Sequence, residues 1–414
     1  MSQDFRIDKI GLINRDKKIS FKFNGKNYFG YEGDTLASAL IANGVHLVGR
    51  SFKYHRPRGF FGAGVDEPYA IVQLYKNNET EPNVRATEQE LFEGLEAKSV
   101  NCWPNVNFDI GAINNFLNKF FPAGFYYKTF MWPKSFWYKV YEPFIRKAAG
   151  FGVASIKHDK ERYEHKYEYC DLLITGSGPS GLASAYAAAK NGARVILAED
   201  RPRFGGSLLT SEVNIGNQSG KEWAENIVTE LKEMPNVIVK NRAQVFGYYD
   251  HNMLVMSERL SDHLAKSKKY SPKQRLWYIR AKEVVISSGS IERPLVFGNN
   301  DTPGVVLSSA AKEYLKVYGV LVGRNPLIFT NNDSGYETAI EFKKNGIWPI
   351  ILDTRSNPNS EIIDEAKGMG IDIKFSYVVV AAKGYKKVKS AEIAKISDDK
   401  KDLGQIETIN CDCI

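Results

Sequence analysis

The feature that most constrains this chain is a glycine turn, Gly176-Ser177-Gly178-Pro179-Ser180-Gly181. The apolar stretch 170–175 before it predicts a strand, and the alanine-rich stretch 182–191 after it predicts a helix. In a dinucleotide-binding βαβ unit, the three glycines permit a tight turn, close approach of a pyrophosphate and close packing of the helix. The helix N-terminus offers unpaired N–H groups to the phosphates. The turn therefore predicts a site for NAD or FAD.

Elements later in the chain extend this site. The strand at residues 194–198 is followed by Glu199, which is placed to accept hydrogen bonds from an adenosine ribose. The pair Gly205-Gly206 and the segment 286–290, which contains Gly289, match later elements of two-dinucleotide flavoproteins. Glu199 argues against a 2′-phosphate, although the nearby Arg201 leaves NADP open. These motifs alone do not choose between NAD and FAD.

A second α/β block begins at residues 325–330 and lacks this fingerprint. Where the glycines would lie, the chain reads Thr330-Asn331-Asn332-Asp333-Ser334-Gly335. Without the first two glycines, close approach of a pyrophosphate is hindered. We therefore expect this block not to bind a second dinucleotide in the usual way.

Residues 1–104 are predicted to form a small strand-rich domain. Residues 19–23 alternate apolar and polar side chains, and Asn24-Gly25 is a hairpin signal. Asp34 is placed to cap a helix over residues 35–42, and residues 69–74 predict a later strand. This order indicates a β-grasp domain of the 2Fe–2S ferredoxin type.

That domain is predicted to hold no cluster. A plant-type cluster needs four thiolates, three of them at C-x4-C-x2-C. The loop at residues 61–69 contains no cysteine, and neither does the distal region at residues 84–87. We therefore expect a structural or subunit-docking role.

Residues 105–167 are rich in aromatic side chains and are interrupted by Pro122, Pro133 and Pro143. An aromatic linker could lie on a membrane interface, but no sustained amphipathic helix is present. Packing between domains or against another subunit is favoured, because aromatic residues dominate interfaces. The remaining residues, 168–414, are predicted to be an FAD/NAD(P)-binding-type domain that is incomplete at its C-terminus.

Composition excludes several other classes. The net charge of +8 is spread along the chain and does not indicate nucleic-acid binding. The four cysteines form no C-x-x-C pair, and no signal peptide or membrane span is recognisable, so a reducing cytoplasm is predicted. No metal site or catalytic constellation is predicted, and His55 is expected to be structural.

Several segments together resemble the α subunit of heterotetrameric sarcosine oxidase. They are Arg50-Ser51-Phe52-Lys53-Tyr54-His55-Arg56-Pro57-Arg58-Gly59, the glycine turn, Glu292-Arg293-Pro294, Asp301-Thr302-Pro303-Gly304-Val305 and Asn331-Asn332-Asp333. The resemblance extends over essentially the whole chain. Amine, opine and proline dehydrogenase subunits share parts of the pattern.

The resemblance implies an NAD-binding α subunit in a complex with a β subunit that carries FAD, with small subunits, and with FMN near the α–β boundary. Such a complex oxidises sarcosine to glycine with O2, producing H2O2 and a formaldehyde unit for tetrahydrofolate. With the motif positions, the candidate cofactor-binding residues are Gly176, Gly178, Ser180, Gly181, Glu199, Asp200, Arg201, Gly206, Ser207, Val245 and Gly289. The catalytic residues stay unassigned.

One departure from the family keeps other interpretations open. Family α subunits continue into a folate-binding domain, whereas this sequence ends at Ile414. A fragment, a split gene and a short subunit are all compatible with this end, and folate chemistry is not expected in these residues. The chain could instead be the FAD-bearing subunit of a related amine, opine or proline dehydrogenase. It could also be a non-catalytic scaffold with a structural nucleotide.

Overall fold

The computed structural model describes residues 3–76, 79–122, 124–266, 270–397, 399 and 401–414. The chain divides into two compact units, residues 1–157 together with 292–414, and residues 158–291. This grouping by packing differs from the predicted division at residues 104 and 167, which stays a prediction. Among the described residues, no helix is long and apolar enough to cross a membrane.

The first hundred residues contain a five-stranded sheet and one helix. The elements are β1 (Asn14–Phe23), β2 (Lys26–Glu32), α1 (Leu36–Ala42), the short β3 (Gly49–Arg50) and β4 (Pro57–Arg58), β5 (Ile71–Lys76), β6 (Glu79–Arg85) and β7 (Glu96–Ser99). The sheet order is β2-β1-β7-β5-β6. β1 and β7 run parallel, and the other pairs are antiparallel. This arrangement matches the predicted β-grasp fold.

Local sequence explains most of this domain. Asn24 and Gly25 both have positive φ, at 51° and 78°, as the tight hairpin turn between β1 and β2 requires. The predicted cap of α1 was wrong by one residue, because Thr35 is the N-cap and forms a capping box with Ser38. Asp34 instead forms a buried ion pair with Arg6 at 2.7 Å.

Residues 105–157 form short helical segments. They are α2 (Ile113–Phe116), α3 (Phe125–Thr129) and α4 (Glu142–Ala149), with a π-helical turn at Trp137–Tyr141 and 3-10 turns at Ile110–Ala112 and Asn118–Phe120. Pro122 and Pro133 lie in the breaks between these segments, whereas Pro143 lies in the first turn of α4. The π-helical turn leads directly into α4, so the longest helical run covers 13 residues, and the expectation of no sustained amphipathic helix stays a prediction.

The unit of residues 158–291 is built on a six-stranded sheet. Its elements are β8 (Tyr163–Thr175), α5 (Pro179–Lys190), β9 (Val195–Ala198), β10 (Asn214–Ile215), β11 (Gln218–Ser219), α6 (Gly220–Glu233), β12 (Val237–Lys240), β13 (Ala243–Tyr249), β14 (Met253–Arg259) and β15 (Gln274–Ile286), with 3-10 turns at Gly206–Leu209 and Asp250–Asn252. The sheet order is β12-β9-β8-β15-β14-β13, and the first four strands are parallel. Helices α5 and α6 bury Leu182, Ala185 and Ile227 in one core with Leu197. This is the predicted Rossmann-like fold.

Residues 292–414 contain the predicted second α/β block. Its elements are α7 (Ser308–Tyr318), β16 (Leu327–Thr330), α8 (Ser334–Lys344), β17 (Ile350–Asp353), α9 (Glu361–Gly368), β18 (Asp372–Phe375), β19 (Tyr377–Gly384), β20 (Val388–Ile396) and β21 (Leu403–Asn410). Strands β16, β17 and β18 pair in parallel, whereas β19, β20 and β21 form an antiparallel sheet. Glu292 accepts hydrogen bonds from the N–H groups of Ser308 and Ser309 at the start of α7.

Candidate dinucleotide-binding site

The glycine turn lies between the end of β8 and the start of α5. Gly176 has a φ of +94°, and a Cβ atom there would collide with the carbonyl oxygen of Ser287. A Cβ atom on Gly181 would collide with the carbonyl oxygen of Gly176. Glycine is required at both positions because the turn and the helix pack backbone against backbone.

Gly178 has a different environment. A Cβ atom built on it meets no atom within 4 Å, and its φ of −66° suits any residue. Gly178 is the N-cap of α5, and no side chain caps this helix end. No side chain thus takes the N–H groups of the first turn, and no atom occupies the position of a side chain at Gly178. This space and this helix end fit a pyrophosphate.

Ser177 connects the glycine turn to Glu199 after β9 and to the Gly205-Gly206 pair. Its N–H and its hydroxyl both donate to Glu199 Oε2, at 2.9 and 2.5 Å. Its Oγ and its carbonyl oxygen accept from the N–H of Gly205, at 3.2 and 3.1 Å. The fully buried Ser177 was not predicted as a site residue, since a serine in the variable position of a glycine motif carries no signal of its own.

Glu199 is buried at the carboxyl end of β9. Its other carboxylate oxygen accepts from the N–H of Arg201 at 3.1 Å. The pKa of Glu199 is raised to about 7: burial and then a hydrogen bond with the Asp200 carboxyl raise it, and the Ser177 hydrogen bonds oppose the rise. The protein thus already supplies three donors to the Glu199 carboxylate, which leaves little of its accepting capacity for a ribose.

The other predicted cofactor-binding residues differ in their exposure and in the atoms around them. Gly206 is exposed, and a Cβ atom on it would lie 2.9 Å from the Cα of Gly178. Ser180 and Ser207 are also exposed. Val245 packs its side chain on a buried cluster and pairs with Met256 in the sheet. Gly289 follows β15 with a φ of +74° and open space around it. No observation tests these assignments, so they remain predictions.

The loop where cluster ligands would lie is organised by a carboxylate. Glu67 is 1% exposed, and its Oε2 accepts from the N–H groups of Phe61 and Gly62 at 2.6 and 2.8 Å. Its Oε1 accepts from the N–H groups of Tyr69 and Ala70 at 2.6 and 2.9 Å. Burial raises the pKa of Glu67, and the four N–H donors oppose this rise. A carboxylate thus takes four N–H groups of this loop, and the loop contains no cysteine thiolate that could ligate iron.

The second strand–loop–helix unit is also filled by its own side chains. Asn332 Oδ1 accepts from the N–H and the hydroxyl of Ser334, at 2.9 and 2.6 Å. A Cβ atom on Gly335 would lie 2.7 Å from the Cβ of Thr330. At the end of β17, Asp353 binds Arg355 at 2.7 Å. This geometry supports the expectation of no second dinucleotide, which stays a prediction.

His55 has a partner that sequence reasoning missed. Its Nδ1 lies 2.7 Å from Asp109 Oδ2, and its Nε2 lies 3.1 Å from the carbonyl oxygen of Ala148. Both ring nitrogens are therefore engaged, and the ring is buried. This geometry is structural, because neither nitrogen is left to act as a base.

Two segments that carry the family resemblance contact each other. Arg56 binds Asp301 through two hydrogen bonds of 2.6 and 2.7 Å, and Arg58 binds the same carboxylate. Burial opposes ionisation of Asp301, but the two guanidinium groups hold its pKa below the usual value. The arginine-rich segment thus fixes the Asp301 loop within its unit.

Two protein families match parts of the chain. Residues 16–102 match a family described as "2Fe-2S iron-sulfur cluster binding domain". Residues 171–257 match a family described as "FAD dependent oxidoreductase". The first stretch contains one cysteine, Cys102. Across the described part of the chain, no group of three or more His, Cys, Asp or Glu side chains could hold a metal ion. The cluster-free state remains a prediction.

Curated relatives match almost the whole chain. "Sarcosine oxidase subunit alpha" from Rhizobium meliloti is 46% identical over 395 residues, which are 94% of this chain and 39% of that protein. A protein of the same name from Corynebacterium sp. is 29% identical over 97% of this chain and 37% of its own length. The chain thus spans well under half the length of these relatives.

A solved structure shares the fold. The crystal structure of L-proline dehydrogenase from P. horikoshii aligns with 99% of this chain and 61% of its own, with a TM-score of 0.60 and 20% identity. Together with the two family matches, this likeness confirms the predicted combination of a ferredoxin-like domain and a Rossmann-like fold. With the 46% identity to the R. meliloti protein, the predicted family is confirmed as well. The chain is therefore a homologue of the sarcosine oxidase α subunits.

Proposed function

We propose that this chain is the dinucleotide-binding portion of the α subunit of a sarcosine oxidase complex, with NAD as its dinucleotide. The observation that carries the proposal is the open space at Gly178, beside an uncapped helix end, in a chain 46% identical to a sarcosine oxidase α subunit. The site has the features that a pyrophosphate and a ribose need.

Each group of residues has a distinct task in this proposal. The N–H groups of Ser180 and Gly181 at the start of α5 bind the pyrophosphate, because the helix end carries partial positive charge. Asp200 and Glu199 accept hydrogen bonds from the adenosine ribose. Gly178 and Gly206 keep side-chain atoms away from the phosphates, and Gly176 permits the tight turn. Further contacts come from Arg201, Ser207, Val245 and Gly289.

FAD is the second candidate for the same site. The match to the FAD dependent oxidoreductase family over residues 171–257 favours it. NAD and FAD share the ADP half, and the residues assigned here would contact that half. The same geometry therefore serves both dinucleotides, and in the FAD case the chain would be the flavin-bearing subunit of a related dehydrogenase.

The reaction proposed for the complex is the oxidation of sarcosine to glycine with O2, giving H2O2 and a formaldehyde unit for tetrahydrofolate. A flavin supplies the hydride acceptor in amine oxidation. We assign the FAD to a β subunit, and an FMN to the boundary with it. The role of this chain is to bind and orient, and no catalytic residue is assigned to it. A cytoplasmic location belongs to the same proposal.

The test is to identify the dinucleotide that the purified chain releases on denaturation. Mass spectrometry should find NAD in about equimolar amount, and the native protein should show no flavin band near about 450 nm. Release of FAD with that band would replace the NAD assignment by the second candidate. Release of neither, with no binding of added NAD or FAD, would refute both.

A further inference from the structure

The segment of residues 103–156 exposes an unusual number of large rings. Five of them are between 71% and 85% exposed: Phe116, Phe120, Trp132, Tyr138 and Phe144. We call these five rings the aromatic surface. Exposed single aromatic residues are normal on a protein, but a concentration within thirty residues of chain is not.

The backbone beneath the aromatic surface is fixed by polar contacts. The hydroxyl of Tyr54 donates to the carbonyl oxygen of Phe121 at 2.7 Å, and Lys53 Nζ donates to that of Pro122 at 3.1 Å. Asn101 Nδ2 donates to the carbonyl oxygen of Ala149 at 2.6 Å. The segment is therefore anchored to the domain before it while its rings face solvent.

The size of the aromatic surface suits a subunit interface. A buried aromatic side chain covers roughly 150–250 Å², so five rings at these exposures offer on the order of 600–1000 Å². The largest apolar patch of a typical monomer is about 300–600 Å². A stable interface buries about 800 Å² on each partner. The rings alone therefore approach the area that a stable complex requires.

The charge around the rings indicates the kind of partner. Residues 105–157 contain seven basic side chains, Lys119, Lys128, Lys134, Lys139, Arg146, Lys147 and Lys157. They contain two acidic side chains, and both are engaged within the chain, Asp109 with His55 and Glu142 with Arg146. A second copy would bring like charges together, whereas a face with Asp and Glu at its rim would attract them.

A membrane fits the geometry less well. Interfacial binding uses one sustained helix with an apolar face. Helices α2 and α3 are four and five residues long, and the π-helical turn at Trp137–Tyr141 continued by α4 gives a run of 13 residues, shorter than the roughly 20–30 residues of many interfacial helices. We propose that the aromatic surface is the docking face for a different protein chain, a second subunit of the oxidase complex, with an apolar centre and a carboxylate rim. The existence of that subunit rests on the function proposed above.

The test is co-expression of this chain with the sarcosine oxidase β subunit of its source organism. The dissociation constant is measured by analytical ultracentrifugation for the wild type and for a Phe116→Ser/Trp132→Ser variant. Loss of two of the five rings should raise the dissociation constant roughly 100-fold. The matched control is Tyr249→Ser/Trp348→Ser, which removes two exposed rings elsewhere and should change it less than about twofold.

A charge variant tests the attraction between the lysines of this segment and the carboxylates of the partner. Lys134→Glu/Lys139→Glu should weaken assembly about tenfold at low salt, and less at high salt because ions screen that attraction. Equal assembly of the ring variant and the wild type would overturn the proposal. So would absence of any complex, self-association of the chain through the rings, or ring-dependent binding to phosphatidylserine–phosphatidylcholine vesicles. The released dinucleotide is measured on the same samples, so that failure of nucleotide binding is seen separately from failure of docking.

Discussion

Two loops of this chain correspond to cofactor loops in related folds, and they differ in what fills them. The glycine turn at residues 176–181 leaves open space at Gly178. The loop at residues 61–69 is filled by the buried carboxylate of Glu67, which accepts four backbone N–H groups. Four N–H groups meet at the Glu67 carboxylate, whereas the glycine turn opens a helix whose end no side chain caps. A fold can therefore keep such a loop while one of its own side chains accepts the backbone N–H groups. The presence of N–H donors alone does not indicate a cofactor site.

The largest expected effect is at Gly178. Gly178→Leu should abolish dinucleotide retention, lowering affinity more than about 100-fold, because the side chain would occupy the pyrophosphate space. The fold should persist, since nothing lies within 4 Å and the φ is ordinary. The measurement is the amount of dinucleotide bound per chain. Gly368→Leu is the control, because that position is equally open and lies in α9.

The second prediction concerns packing within the turn. Gly181→Ala should destabilise the unit of residues 158–291 by about 3 kcal/mol, because its Cβ meets a backbone carbonyl that has no room to move. Gly335→Ala should cost less, because its Cβ meets the side chain of Thr330. Denaturant unfolding of both variants measures the two costs. Equal losses of unfolding free energy in the two variants would contradict a rigid backbone collision at position 181.

The third prediction tests the filled loop. Glu67→Gln should destabilise the unit that contains it by about 2–3 kcal/mol, because an amide nitrogen would face two N–H donors. Iron should be absent from both proteins after reconstitution with iron and sulfide. Denaturant unfolding and metal analysis check the two parts. Stoichiometric iron in the wild type would contradict the interpretation of Glu67 as the group that occupies the loop.

The smallest effect is a pH dependence at Glu199. Its pKa in the folded state is raised to about 7, so the folded protein binds a proton more tightly than the unfolded chain. Stability of the nucleotide-free protein should therefore fall as pH rises between about 4.5 and 7, by about 2 kcal/mol. Glu199→Gln should remove this slope, whereas Asp353→Asn should leave it. Unfolding free energies at several pH values give the result.

Local sequence determined the elements whose geometry depends on neighbours in the chain. The hairpin at Asn24-Gly25, the turn at Gly176–Gly181 and helix α5 follow from spacing and from conformations that only certain residues adopt. The family also followed from motifs along the chain. These features could be predicted because each is carried by residues that are close in sequence.

Tertiary structure alone decided the contacts between distant segments. Asp109 meets His55 across 54 residues, and Asp301 meets Arg56 across 245. Glu67 was part of a loop noted only for its missing cysteines, yet it binds four N–H groups there. No local pattern encodes such pairs, because they depend on how the whole chain packs. The sequence by itself therefore located the open nucleotide loop, and only the folded chain showed how the other loop is closed.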